Sequence, residues 1–136
     1  MRLLVCGGRG YGVFPNQCPA DQASYWRERT AREQFFVFET LDCLHADQPI
    51  SVLIHGGASG ADSLAGAWAR RKGVFVQMFR ANWRAEGLAV SPIRNGRMLV
   101  EGRPDRVVAF PGHNGTADMV AKARAAGVPV FEAGVL

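Results

Sequence analysis

The sequence predicts a single α/β domain with a doubly wound, mainly parallel sheet and helices on both faces. Apolar runs of strand length recur along the 136 residues. These runs are continuous rather than alternating, which is typical of strands whose two faces are both covered by helices. Stretches of helical length separate the runs, and an alternation of strands and helices favours a parallel sheet.

Five apolar runs predict the strands. They cover residues 3–6, 52–54, 74–79, 107–110 and 128–131. Glycine-rich turns follow the first, second and fourth runs directly. Since the strands of a parallel sheet all point the same way, we expect these three turns to meet at its carboxyl edge.

Four helices are predicted between the strands. They cover residues 32–45, 61–72, 92–101 and 117–126. The second ends in a cation-rich turn before Gly73, a favourable helix C-terminus. Ser91 and Thr116 are predicted to cap the third and fourth helices, and Ser59 the second. Residues at about 12–34 form the least regular part of the chain and are predicted to be an irregular insertion.

The composition is that of one ordinary globular domain. Hydrophobic residues make up 48% of the chain and charged residues 21%, which allows a stable core without crosslinks. The three cysteines, Cys6, Cys18 and Cys43, show no ligand spacing. They indicate reduced thiols and a cytoplasmic location, and we expect neither a metal nor a cofactor. No apolar run approaches the roughly 20 residues that span a bilayer, so no membrane partner is expected.

The net charge of +4 indicates an acidic partner. The basic residues are scattered and are not interleaved with aromatic side chains, as they are in proteins that bind single-stranded nucleic acid. A phosphorylated small molecule satisfies the same charge. We therefore expect such a ligand and do not expect nucleic-acid binding.

The three glycine-rich turns carry the functional prediction. Glycine lets backbone N–H groups approach an anion closely, and the helix that follows adds the positive end of its dipole. We therefore predict one shared phosphate-binding site at the carboxyl edge. The predicted ligand-binding residues are Gly7, Gly8, Arg9, Tyr11, Gly56, Gly57, Ser59, Gly60, Asp62, Arg94, Asn95, Pro111, Gly112, Gly115 and Thr116.

Several of these side chains have two interpretations. Arg9 can clamp a phosphate with two hydrogen bonds or lie in solvent. Arg94 is predicted in the first turn of its helix, where a cation opposes the dipole and needs an anionic partner. Tyr11 either stacks on a base or covers the edge of the core. Asp62 either stabilises its helix dipole or accepts hydrogen bonds from ribose hydroxyls.

Three further residues border the predicted site. His55 and His113 flank the glycines, where a hydrogen-bonded loop histidine is more common than a proton-transfer group. Trp83 follows the third predicted strand and either forms a wall of the pocket or packs in the core. The residues themselves leave these alternatives open.

Four motifs give the chain a family resemblance. They are Gly-Gly-Arg-x-Tyr at residues 7–11, His-Gly-Gly-Ala-Ser-Gly-Ala-Asp at 55–62, Pro-Ile-Arg-Asn-x-x-Met at 92–98, and Pro-Gly-x-x-Gly-Thr-Ala-Asp-Met at 111–119. In this order they resemble the YspA/YpsA-related branch of the SLOG superfamily. The resemblance covers residues 1–11 and about 50–130. It implies a Rossmann-like fold and a nucleotide or nucleotide-derived ligand.

The superfamily also includes the Lonely Guy phosphoribohydrolases, which release a base from a nucleoside monophosphate. By resemblance, Arg94 takes the place of their catalytic arginine. Met119 stands where they have a glutamate, and Asp118 lies just before it. The catalytic candidates are therefore Arg94 and Asp118, and the missing glutamate favours binding over catalysis. If only this carboxylate is missing, Met119→Glu is expected to restore slow base release.

The preferred prediction is a sensor or sequestering module for a nucleotide or an ADP-ribose-like ligand. The alternatives are a phosphoribohydrolase-like hydrolase and, less favoured, DNA binding like that of DprA, another member of the superfamily. A homodimer is also expected, because related SLOG proteins dimerise. The aromatic run at residues 35–38 supports it, because a helix cannot turn four consecutive side chains into one core.

Overall fold

Five parallel strands form one sheet in the computed structural model, which describes residues 1–82 and 90–134. Trp83, a candidate wall of the pocket, lies outside these ranges. The strands are β1 (Arg2–Cys6), β2 (Val52–His55), β3 (Phe75–Met78), β4 (Arg106–Ala109) and β5 (Val130–Glu132). Their order is β3-β2-β1-β4-β5, and every pair is parallel. This confirms the doubly wound, Rossmann-like prediction and puts the topological switch point between β1 and β4.

Four helices cover the sheet within the described residues. They are α1 (Ala23–Asp47), α2 (Ala61–Lys72), α3 (Val90–Gly102) and α4 (Asn114–Ala125). The bounds of α2 agree with the prediction, and it ends at Gly73, whose φ of 70° is left-handed. No helix in the described part of the chain combines the length and apolar character needed to cross a membrane.

The side chains of β1 show why its sequence is continuously apolar. Leu3 and Val5 pack into a core with α1 and α2, while Leu4 and Cys6 pack into a second core with α3 and α4. Successive strand residues point to opposite faces, so a strand between two helical layers is buried at every position.

Helix α1 begins well before the predicted residue 32, so this boundary was wrong. Its first half is held by local pairs. Arg29 Nε lies 3.3 Å from Glu33 Oε2, and the Arg29 guanidinium lies 5.0 Å from the centre of the Trp26 ring. Such pairs stabilise a helix without an apolar periodicity, which is why the pattern did not reveal it. The irregular insertion ends at residue 22 rather than near residue 34, after a short 3-10 turn at Ala20–Gln22.

All three serine and threonine caps were predicted wrongly. Helix α3 already begins at Val90, which places Ser91 within its first turn. Helix α4 begins at Asn114, so Thr116 is its third residue, and α2 has Gly60 as its N-cap. Neither α2 nor α4 has a side-chain cap hydrogen bond.

The aromatic run on α1 is largely taken up by the chain itself. Val37 is fully buried, and Phe36 and Phe38 pack against the same core. Phe35 remains 67% exposed, in keeping with the helical geometry. Because most of the run packs within the chain, it gives weaker support for a homodimer than the sequence suggested. The homodimer stays a prediction.

Candidate functional site

The three glycine-rich turns meet at the carboxyl edge of the sheet, held by hydrogen bonds between the turns. Gly8 N–H donates to the Pro111 carbonyl at 2.8 Å, and Ala61 N–H donates to the Gly8 carbonyl at 3.3 Å. The Ser59 hydroxyl donates to the Arg9 carbonyl at 3.0 Å. Ser59 therefore ties two turns together instead of capping α2.

A cleft of about 450 Å³ opens at this edge, beside the switch point. Its walls are the turn after β1, one side of α3 and the first turns of α2 and α4. The predicted site residues that line it are Gly7, Gly8, Arg9, Asp62, Arg94, Asn95, Gly115 and Thr116, together with the catalytic candidate Asp118.

A smaller pocket of about 320 Å³ adjoins the cleft, and Arg9, Ala58 and Arg94 border both. We call it the arginine pocket. Its other lining residues are Gly56, Gly57, Ser59, Arg80 and Ala81.

The remaining predicted residues, Tyr11, Gly60, Pro111 and Gly112, line neither space. The Tyr11 ring stacks on Phe110 with ring centres 6.1 Å apart, so Tyr11 covers the edge of the core. A Cβ on Gly112 would lie 2.8 Å from the Gly8 nitrogen, and one on Gly60 would collide with the Gly8 carbonyl. These glycines are required by the close packing of the turns.

Three N–H groups in the turn after β2, those of residues 56–58, are hydrogen-bonded within the fold. Gly56 and Ala58 N–H donate to Asp62 Oδ2 at 3.1 and 3.2 Å, and Gly57 N–H donates to His55 Nδ1 at 2.9 Å. The expectation that these N–H groups face a phosphate was therefore wrong. His55 is the last residue of β2 and accepts the hydrogen bond from Gly57, and burial lowers its pKa to about 4.

Asp62 shapes this turn from a buried position. Its side chain is only 6% exposed. Burial raises its pKa to about 6, because the loss of hydration outweighs the two N–H donors and the charge of Arg94. Because Asp62 also lines the cleft, a bound anion is expected to raise this pKa further.

Asp62→Asn is therefore expected to stabilise the protein increasingly as the pH rises. The pKa of Asp62 is higher in the folded chain than its ordinary 3.8. The stability that Asp62 contributes to the fold is therefore fully present below pH 3.8 and is lost as the pH rises through about 6. Because the amide stays neutral, it avoids this loss. Above that pH, the free energy of unfolding of Asp62→Asn should exceed that of the wild type by on the order of 3 kcal/mol. Urea unfolding at about pH 4.5 and about pH 8 measures it, with the exposed Asp21→Asn as control. A gain that does not grow with pH would contradict this assignment.

Arg94 is a half-buried cation with incomplete pairing. Its Nη1 donates to the Gly56 carbonyl at 3.1 Å. Its Nε is buried and has no acceptor among the described residues, within which Arg94 also forms no ion pair. Burial lowers its pKa and the nearby charge of Arg9 lowers it further, although Asp62 opposes this. An arginine remains charged under these conditions, so the cleft holds a poorly solvated cation.

Arg94 lies deeper in its helix than the sequence predicted, so the helix dipole is not what makes an anionic partner necessary. It is the fifth residue of α3 and lies past the first turn, where the dipole effect fades. Arg94 instead requires an anion because it is half-buried and its Nε is unsatisfied. A Cβ on Gly56 would lie 2.9 Å from Arg94 Cζ, so the glycine makes room for the guanidinium.

The start of α4 supplies a second anion-complementary surface. Its N-cap residue, His113, makes no side-chain cap hydrogen bond. Within the described part of the chain, the N–H groups of Asn114, Gly115 and Thr116 find no acceptor. All of these residues line the cleft. Uncapped N–H groups at a helix start bind anions readily.

Gly115→Ala is expected to weaken the binding of a phosphate ligand about tenfold without destabilising the fold. The new Cβ would meet no atom within 4 Å, so the fold accepts it. In a helix the Cβ points towards the N-terminus, here over the free N–H groups. Gly96→Ala is the matched control, because it also lies in a helix with open space but outside the cleft. Calorimetric titration and thermal melting measure both effects, and unchanged binding by Gly115→Ala would count against a phosphate at α4.

Asp118 lies in the cleft but is fully engaged. Lys122 Nζ lies 2.6 and 2.7 Å from its two oxygens, and Asn95 Nδ2 donates to it at 2.9 Å. Burial raises the pKa of Asp118, but these two partners outweigh burial and lower it overall. Asn95 also donates to the Gly115 carbonyl at 3.1 Å, which ties α3 to α4. Met119, at the glutamate position of the hydrolases, is fully buried in the core.

Several residues that line the two spaces were not predicted from the sequence. The cleft also contains Ser91, Pro92, Met98 and Asn114, and the arginine pocket contains Arg80. Ser91 and Met98 lie three residues before and four after Arg94, so helical spacing could have indicated them. Arg80 follows β3 at the carboxyl edge, where the rule that predicted the glycine turns also applies.

Comparison with known proteins agrees with the motifs. The model of the YspA, cpYpsA-related SLOG family, YAcAr, matches residues 1–85. The chain belongs to this family. The match includes residues 12–49, which the motif resemblance left out, and ends before Arg94.

Two further proteins are similar to this SLOG protein. The Gene 61 protein of Mycobacterium phage D29 is 37% identical over 117 residues, which span 80% of this chain and 89% of the phage protein. The X-ray structure of TM1055, a structural-genomics target, superposes with a TM-score of 0.63 at 20% identity. That superposition covers 94% of this chain and 71% of TM1055, and it supports the fold alone.

Proposed function

We propose that this SLOG protein binds a nucleotide or a nucleotide-derived, ADP-ribose-like phosphorylated ligand in the cleft, as a sensor or sequestering module. The observation that carries the proposal is Arg94, whose buried Nε lacks an acceptor among the described residues. A buried guanidinium N–H that loses hydration without gaining an acceptor is unfavourable, and an anionic ligand would supply that acceptor.

The geometry of the cleft supports a phosphate at its end near α4. There the N–H groups of Asn114 and Gly115 and the guanidinium of Arg94 would share the negative charge. Pro92 and Met98 provide apolar surface for a sugar or base. Arg9 would add a second cation to the same ligand.

Direct binding tests the proposal. Purified protein is titrated calorimetrically with the common nucleoside monophosphates and ADP-ribose, and any ligand that co-purifies is identified by mass spectrometry. We expect saturable binding of at least one of these compounds that weakens as salt concentration rises. Failure of all of them to bind would reject the proposal.

A hydrolase is the second candidate, because Arg94 and Asp118 share the cleft. The pairing of Asp118 with Lys122 argues against it, since a neutralised carboxylate stabilises an oxocarbenium-like transition state poorly. We expect bound nucleoside monophosphates to stay intact when assayed for free base. Robust turnover that disappears in Asp118→Asn would establish the enzyme instead.

DNA binding is tested separately. A salt-dependent shift of single-stranded DNA in a gel would favour it.

A further inference from the structure

The arginine pocket differs from the cleft in the charges that line it. Asp62 and Asp118 line the cleft, whereas no acidic residue in the described ranges lines the arginine pocket. Arg9, Arg80 and Arg94 all border the pocket. The pocket therefore concentrates positive charge at one edge of the proposed ligand site.

The positive charge of this pocket comes from arginine side chains. The N–H groups of residues 56–58 turn inwards to Asp62 and His55. A glycine is required at position 57, because its φ of 74° is left-handed and a Cβ would lie 3.0 Å from Met78 Sδ. Arg80 is exposed and forms no ion pair within the described residues.

The two anion-complementary surfaces lie in different spaces. The free N–H groups of α4 line the cleft and not the arginine pocket, and Arg80 lines the pocket and not the cleft. A single phosphate is therefore not expected to reach both. Arg9 and Arg94 border the two spaces and would lie between two neighbouring phosphates.

We propose that the ligand carries a diphosphate, with one phosphate at the start of α4 and the second in the arginine pocket against Arg80. This inference rests on the proposed function and narrows its ligand class to nucleoside diphosphates and diphosphate-linked nucleotides. Arg80 then determines specificity for the second phosphate, and a nucleoside monophosphate leaves the arginine pocket unfilled.

The test compares nucleoside mono- and diphosphates of all four bases by calorimetric titration. Wild type is expected to bind the best diphosphate at least about tenfold more tightly than its monophosphate. Arg80→Gln should weaken diphosphate binding about ten- to hundredfold and change monophosphate binding less than about twofold. Melting should stay unchanged because the side chain is exposed. Arg27→Gln, which removes an exposed arginine of α1 outside both spaces, is the control.

The outcomes separate this inference from the proposed function. Monophosphates that bind as tightly as diphosphates, or an equal loss of both in Arg80→Gln, would overturn the second phosphate site and leave nucleotide binding intact. A wild-type protein that binds none of these compounds and does not bind ADP-ribose would overturn both.

Discussion

Met119→Glu is expected to destabilise the fold by more than about 3 kcal/mol and to produce no base release. Met119 is fully buried on α4, in a core with Met98, Val107 and Ala123. A carboxylate there would lose its hydration and gain no partner among these apolar side chains. It would either stay charged at high cost or become protonated, and both outcomes reduce stability.

Two matched variants isolate the effect of the buried charge. Met119→Leu keeps the volume and the apolar character and should cost less than about 1.5 kcal/mol. Ala121→Glu adds the same charge to an exposed position of α4 and should be nearly neutral. Urea unfolding compares the three. A Met119→Glu protein as stable as wild type would show that position 119 can reach the cleft.

This expectation replaces the one drawn from the family resemblance. The sequence suggested that a glutamate at position 119 would supply a missing catalytic carboxylate. The structure places this side chain in the core, so the substitution tests packing before it tests catalysis. The carboxylate nearest in sequence, Asp118, is partly buried and already neutralised by Lys122.

Arg94→Ala is expected to weaken ligand binding by one to two decades while leaving the fold at least as stable. The binding loss corresponds to one charge-assisted hydrogen bond of roughly 1.5–3 kcal/mol. Stability should not fall, because the variant removes a half-buried cation whose Nε has no acceptor in the described part of the chain. The hydrogen bond to the Gly56 carbonyl and the attraction to the Asp62 carboxylate are lost in exchange.

The controls for this prediction use the same helix. Arg94→Lys keeps the charge without the planar fork and should bind with intermediate affinity. Arg97→Ala removes an exposed arginine that pairs with Glu101 at 3.2 Å, outside the cleft, and should bind as wild type does. Calorimetric titration with the best nucleotide ligand provides the measurement. Wild-type affinity in Arg94→Ala would show that the site lies elsewhere.

Local patterns were enough to predict the fold class and the place of the site. A strand covered on both sides is apolar at every position, so β1, β2 and β4 were visible as continuous runs. Glycines after these strands marked the carboxyl edge, and cations before Gly73 marked the end of α2. Each of these signals depends on neighbours in the sequence. The first half of α1 was missed because an ion pair and a cation–π contact, and not an apolar stripe, stabilise it locally.

The use of each polar group in the site was decided by contacts between segments far apart in the chain. The packing of the helices on the sheet decides three features of the site. It decides whether the N–H groups after β2 face a ligand or Asp62, and whether position 119 faces the cleft or the core. It also decides whether Arg94 finds an acceptor. Burial sets the energy of a charge or an unpaired N–H group, and burial is a property of the assembled layers. The sequence therefore located the edge where a ligand would bind, whereas only the packed structure shows which donors remain free to bind it.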